Sequence, residues 1–183
     1  MMAELRKLWW LVDTNDITIR ARYIRSAANV WADKLSRDRT GQGDWTLRRD
    51  VFAQLDKEWG PHTMDRFATA NDKLVDRYNA RAMGPGCLGV DALAQTDKNW
   101  RAEHNWCHPP WALLAQLAGK LRASGASATV VTPTWRSEAW YGELLGLSDK
   151  LRVEPARRDL FSRAGKVGPA SWSVTIFSIP ARR

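Results

Sequence analysis

Residues 104–111 read HNWCHPPW, which gathers two of the three histidines and one of the two cysteines of the chain around a double proline. Proline has a fixed φ and no N–H to give, so Pro109 and Pro110 end whatever regular element precedes them. Beyond them, WALLAQLAGKLRASG (residues 111–125) sets Leu113, Leu114, Leu117 and Leu121 on one helical face, with Gly125 after the last turn. The stretch therefore reads as a strand, a rigid loop and a helix. His104, Cys107 and His108 lack the second cysteine or histidine pair that zinc spacing requires. Cys107 has no base with an orienting group placed beside it in sequence, so it does not read as a nucleophile. Two readings remain open: a proline-stopped strand whose Trp106 and Trp111 are core, and a binding loop in front of a helix.

Working outward, ATVVTP (128–133) reads as a buried strand and EAWYGELLGL (138–147) as a helix. LRVEP (151–155) and WSVTIFSIP (172–180) read as a closing pair of strands separated by a basic loop. Upstream, TMDRFAT (63–69) and LGVDAL (88–93) are short strand-like runs that each carry an aspartate, with a polar, Gly- and Pro-containing loop over 71–86. Leu47, Val51, Phe52, Leu55 and Trp59 form a helical stripe stopped by Gly60 and Pro61. DRTGQGD (38–44) is a linker by composition. Before it come a helix over 3–13, an alternating strand ITIRARYI (17–24) and a second short helix over 26–37. Strands alternating with helices imply an α/β sheet, and the two final strands imply an antiparallel edge.

The chain of 183 residues has a formal net charge of +8 and a pI near 9.9, the footprint of a protein that meets a polyanion. The last 33 residues alone hold +5 of that excess, and Arg157, Arg158, Arg163 and Lys166 are the expected nucleic-acid contacts. Two cysteines cannot make a disulfide framework, the amino terminus lacks a signal peptide's apolar run, and no apolar segment approaches the length of a bilayer span. These features point to an intracellular protein, of cytoplasm or nucleus, with no membrane partner.

CHPPW resembles the Asp/Asn/Ser-Pro-Pro-aromatic loop of adenine-type, S-adenosylmethionine-dependent methyltransferases, which follows a strand and precedes a helix. With the segments 44–79, 89–100 and 128–140, the chain is similar to the Dam-like methyltransferase domain of DIRS-type and related retroelements and of phages. The resemblance implies a Rossmann-like methyltransferase-type sheet over 45–183 with an antiparallel C-terminal edge. It implies that His108 and Pro109 face the exocyclic amine of an adenine turned out of the duplex, that Pro110 stiffens the loop, and that Trp111 stacks on the base. It also implies that Asp65, Phe67 and Ala68 end the cofactor-binding strand, and that Asp91 contacts S-adenosylmethionine or frames its pocket. His108 departs from the pattern, because an imidazole is bulkier than a carboxamide and accepts through one nitrogen in one neutral tautomer. The glycine-rich turn that lets a backbone approach a cofactor is also missing.

A second resemblance covers residues 1–37. Asn29, Ala32, Asp33, Leu35, Ser36 and Arg37 complete an Asn-x-x-Ala-Asp-x-Leu-Ser-Arg signature similar to the last part of a retroelement reverse transcriptase RNase H domain. There, the residue matching Asp33 is one of several carboxylates binding two magnesium ions. One carboxylate cannot hold that pair, so Asp33 reads as a remnant, and neither magnesium nor RNase H activity is expected of this chain. The resemblance implies a downstream piece of a retroelement polyprotein, with an upstream reverse transcriptase and RNase H polypeptide as possible partner and DNA or an RNA–DNA hybrid as ligand. The two functional expectations are a DNA adenine methyltransferase whose activity His108 has reduced or abolished, and a non-catalytic nucleic-acid-binding or scaffolding module with the same fold. A nonfunctional genomic remnant is a third.

Overall fold

The computed structural model describes Trp10, Val12, Thr14, residues 45–157, 159–163, 166–168 and 172–182. Contacts divide the chain into two compact units, Met1–Thr40 and Gly41–Arg183. In the first, Trp10, Val12 and Thr14 are helical, and the Thr14 hydroxyl donates to the Trp10 carbonyl over 2.6 Å. The expected strand 17–24, the helix bearing Asp33 and the linker 38–44 lie outside the described residues.

The second unit is built on a seven-stranded sheet. Its strands are β2 (Met64–Asp65), β3 (Tyr78–Ala80), β4 (Cys87–Val90), β5 (Asn105–Cys107), β6 (Ala128–Pro133), β7 (Lys150–Glu154) and β10 (Val174–Ile179), in the spatial order β4-β3-β2-β5-β6-β10-β7. The first five run parallel, while β10 is antiparallel to both β6 and β7, so it alone is reversed. The unit is thus a mixed α/β structure with a mostly parallel sheet. The reversed strand lies one place in from the edge, and β7 forms the edge itself. A separate three-stranded antiparallel sheet joins β1 (Thr46–Leu47), β8 (Phe161–Arg163) and β9 (Lys166–Gly168) in the order β1-β8-β9.

Strand β6 is buried at all six positions because both faces of the sheet are covered, and its sequence shows no polar–apolar alternation for the same reason. Neighbouring residues separate the two layers. Cys107, Val130 and Phe177 pack with Leu114, Leu117 and Leu121 of α3 (Leu114–Ser124) and with Trp140, Tyr141 and Leu144 of α4 (Ala139–Leu147). Trp106, Val131 and Ile176 pack on the other face with Val51 and Leu55 of α1 (Arg49–Trp59), and with Leu47 and Phe161 of the small sheet. The helical stripe is therefore as expected from Val51 onward, but Leu47 belongs to a strand.

Three elements depart from the expectations. Tyr78–Ala80 is a strand inside the segment read as a loop; at three residues it is too short to show a period. Asp97–Arg101 is a helix, α2, with Thr96 accepting from the Asn99 N–H as its cap. The basic loop after β7 contains the β8–β9 hairpin, whose pairing with β1 spans more than a hundred residues of sequence.

The chain closes on α3. Gly125 ends that helix at φ 65°, and its carbonyl accepts from the Arg182 N–H at 2.8 Å. The Arg182 guanidinium donates to the carbonyls of Gly146 and Leu147, satisfying the end of α4. A Cβ at position 125 would lie 2.8 Å from the Arg182 carbonyl oxygen, so both backbone conformation and space require glycine. Gly125→Ala should cost about 1–2 kcal/mol from the left-handed conformation alone, with the displaced carboxyl-terminal strand end adding to it. Calorimetric unfolding is expected to show a Tm lower by several degrees; an unchanged Tm would remove Gly125 as a constraint on the closure.

Candidate functional site

The parallel strands reverse their direction of winding between β2 and β5: β3 and β4 continue to one side of β2, and β6 continues to the far side of β5. Open α/β sheets bind ligands outside the carboxyl ends of the strands at such a switch point. Here the chain leaves β2 through Arg66, Phe67 and Ala68, and leaves β5 through His108, Pro109 and Pro110 before a single 3-10 turn, Trp111–Leu113, leads into α3. Both exits border a cavity of about 330 Å³. Asp65, Phe67, Ala68 and Asp72 line it from the β2 side, and Trp106, His108, Pro109, Pro110 and Trp111 from the β5 side. Trp45, Thr46 and Phe161 close it from the small sheet, with Trp172 ahead of β10.

The walls are mainly aromatic. Trp111 lies edge-to-face with Trp135 at 5.3 Å and with Trp172 at 4.8 Å. His108 stacks parallel to Phe161, centroids 5.4 Å apart and planes 11° from coplanar. The proline loop is thereby tied to the small sheet through its histidine and to the approach to β10 through its tryptophan. The sequence carries no local signal for Thr46 or Phe161 as site residues, because they reach the cavity through the long-range β1–β8 pairing, and Trp45, Asp72 and Trp172 lie in irregular segments with no pattern to mark them.

Asp65 is the most perturbed group of the site. Its carboxylate accepts from the Leu74 N–H at 3.1 Å and, at 3.4 Å, from the Phe67 N–H. Burial pushes its pKa up to about 7; the two N–H donors oppose that shift and the Asp72 carboxylate adds to it. Cys107, between the two layers, is fully buried, and burial raises its thiol pKa far from the range of a reactive thiolate.

Asp91 does not line this cavity. It sits after β4 at φ 51°, exposed, and its carboxylate accepts from the Leu93 N–H at 3.1 Å to cap the turn Ala92–Ala94. Of the basic group, Arg157 Nε lies 3.5 Å from an Asp159 carboxylate oxygen. Arg163 and Lys166 fall on the β8–β9 hairpin, and Arg158 lies outside the described residues. Two other cations of this tail serve the fold: Arg152 pairs with Glu154 at 2.6 Å and Glu58 at 3.7 Å, and Arg182 holds α4.

A second polar cluster lies near the opposite ends of the strands. The His62 ring meets an Asp56 carboxylate oxygen at 2.6 Å through Nδ1 and the Thr129 hydroxyl at 2.7 Å through Nε2, and its centroid lies 4.5 Å from that of the tilted His104 ring. Carboxylate, imidazole and hydroxyl follow the order of a hydrolytic triad. Thr129 is wholly buried within β6, however, so no substrate reaches its hydroxyl and the cluster is structural. His104 and His108 are thereby held at opposite ends of β5, and among the described residues no group of three His, Cys, Asp or Glu side chains is gathered as a metal site. No described helix is long and apolar enough to cross a membrane.

The two buried titrating groups impose opposite pH dependences. His62, lowered by burial to about 4, contributes stability that is present above its unfolded value and lost as the pH falls through about 4. Asp65, raised to about 7, contributes stability that is present below pH 4 and lost as the pH rises through about 7. The two slopes offset in the parent protein, so the difference between Asp65→Asn and parent isolates the carboxyl. That difference in unfolding free energy should move in favour of the variant between pH 4 and pH 8, by a few kcal/mol at most. Denaturant titrations at several pH values measure it, and a difference independent of pH would mean that Asp65 is ionised in the folded protein throughout.

Compared with known protein families and with curated proteins, the sequence gives no match.

Proposed function

We propose that residues 45–183 form a nucleic-acid adenine methyltransferase-like domain of retroelement type, using S-adenosylmethionine, in which His108 has reduced or abolished transfer. The observation that carries this reading is the convergence of two loops, DRFA at 65–68 and CHPPW at 107–111, on one aromatic cavity at the switch point of a parallel sheet. Residues about forty positions apart, joined in the reading only by resemblance, border a single space. The strand order supports it as well. Six strands running one way in doubly wound order, with one reversed carboxyl-terminal strand beside the edge, are compatible with the Rossmann-like sheet and antiparallel C-terminal element that the resemblance implies.

In this reading Trp111, braced by Trp135 and Trp172, offers a ring for stacking on an extruded base. The Pro109 carbonyl and the His108 side chain face the exocyclic amine. Phe67 and Ala68, with Asp65, bound the cofactor side, while Asp91 caps its turn beyond the cavity and can meet only a part of the cofactor that extends past it. The β8–β9 hairpin, with Arg163 and Lys166, and the adjoining Arg157 and Arg158 supply phosphate contacts to DNA or an RNA–DNA hybrid. The segment 1–37 is read as an RNase H remnant, and the site of action as intracellular.

The second reading, a nucleic-acid-binding module without catalysis, is favoured by one observation. The ring at 108, where the resembling family has a short carbonyl or carboxylate, lies flat against Phe161.

Calorimetry with S-adenosylmethionine and a radiolabel assay on duplex DNA separate the two. The first reading expects cofactor binding, weak transfer to adenine by the parent, and a rise on the order of a hundredfold in His108→Asn or His108→Asp, the usual value of one preorganised polar contact. Efficient transfer by the parent that His108→Asn abolishes would make the histidine a working group of the site. Absence of cofactor binding in parent and variants would leave the non-catalytic reading.

A further inference from the structure

The described lining of the cavity carries carboxyl groups although the chain as a whole is basic. A protein with formal net charge +8 lines its switch-point cavity, among the described residues, with two aspartates and with no lysine or arginine. A site built for a dinucleotide's pyrophosphate would place glycine-bordered N–H groups or cations there. Around the two carboxyls stand Phe67, Trp106, Trp111, Phe161 and Trp172, whose ring faces attract cations. Aromatic walls with a carboxylate at their base are the surroundings in which proteins hold sulfonium and quaternary ammonium groups.

Resting on the methyltransferase reading, we infer that this cavity receives the positively charged sulfonium of S-adenosylmethionine, and that Asp65 releases its proton to solvent when that charge enters. The step balances as a neutral carboxyl plus a cationic ligand giving a carboxylate–cation pair and one proton.

Asp65 is placed for this. It lines the cavity at 4 % exposure, and its hydrogen bonds come from two backbone N–H groups, which serve the carboxyl in either protonation state. Without ligand, burial and the Asp72 carboxylate hold the proton on, with a pKa of about 7. No described lysine or arginine is hydrogen-bonded or ion-paired to its carboxyl. Cys107 on β5 is a neutral thiol, and His108 borders the same cavity from the proline loop. Arg66, the next residue, turns to the opposite face, where its guanidinium lies over Trp100 and bonds to asparagine oxygens. The cation that ionises Asp65 is thus the ligand's own.

S-adenosylhomocysteine shares every group with S-adenosylmethionine except the methyl that makes the sulfur cationic, so the pair isolates this charge. Titration calorimetry on the full chain at pH 6 and pH 8 should show the affinity ratio of S-adenosylmethionine to S-adenosylhomocysteine rising about tenfold with pH, the linkage expected of one group titrating midway. At pH 6.5, buffers of different ionisation enthalpy should reveal net proton release with S-adenosylmethionine and little with S-adenosylhomocysteine. Asp65→Asn should flatten the ratio, and if that variant does not fold, the proton count on the parent decides alone. A ratio independent of pH, or no difference in proton release, overturns the inference while leaving the methyltransferase reading intact. Failure of both compounds to bind overturns both.

Discussion

A single buried cation holds the switch point together. Arg66, 1 % exposed, donates through Nε to Asn105 at 2.6 Å and through Nη1 to Asn79 and Asn99, both at 2.7 Å. Its Nη2 donates to the Asn99 carbonyl, and the guanidinium lies 4.5 Å from the Trp100 ring centroid. These partners come from β3, α2 and β5, so one side chain leaving β2 bonds to elements on both sides of the place where the winding reverses. The asparagines pass the link on: Asn79 donates to the Gly89 carbonyl of β4, and Asn105 to the carbonyls of Trp100, Glu103 and Ser127. A buried guanidinium is tolerable only when its donors are met, and here neutral amide oxygens and an indole face meet them. Such a network specifies one arrangement of strands, since any shift leaves a buried charge or amide unpaired.

The site depends on this cage through the alternation of the chain. With Arg66 committed to the α2 side, Asp65 falls to the opposite side, where no cation among the described residues meets it, and burial pushes its carboxyl pKa up to about 7. Trp106 and Cys107 repeat the pattern on β5, one lining the cavity and the other packed beneath α3. The two loops that follow inherit their positions from strands only two and three residues long. Strands this short have little ladder of their own, and side-chain bonding around Arg66 supplies the registration that length would otherwise provide.

That economy explains which parts were readable from sequence. The β6 run, the α3 stripe with its Gly125 stop, and the helix at 139–147 announce themselves because each fills a long periodic or continuously apolar window. The proline loop was readable as a strand end in front of a helix, since two prolines leave no other local choice. Strand β3 and the β8–β9 hairpin were not, because Tyr-Asn-Ala and Phe-Ser-Arg have no period and owe their conformation to partners far along the chain. Among the proposed site residues, those flanking strands β2 and β5 share one cavity, whereas Asp91, placed at the cofactor by the same resemblance, caps a turn two strands away. Sequence showed that each aspartate ends a strand; it could not show the spatial order of those strands, which decides which ends meet.

The small sheet raises the remaining structural question, why an α/β unit already covered on both faces needs three further strands. Their placement answers it. Leu47 and Phe161 complete the core over Trp106 and Val131, and Thr46 and Phe161 stand at the cavity. Phe161 therefore serves both, and its ring is the surface on which His108 stacks. An imidazole at a loop position gains order by burying a ring face, and Phe161 supplies the surface for it. Replacing His108 by asparagine would accordingly remove an aromatic contact between the proline loop and the β8 strand. The β8 strand and the proline loop are thus joined through this stacked pair, and the loop takes its position from the small sheet as well as from β5.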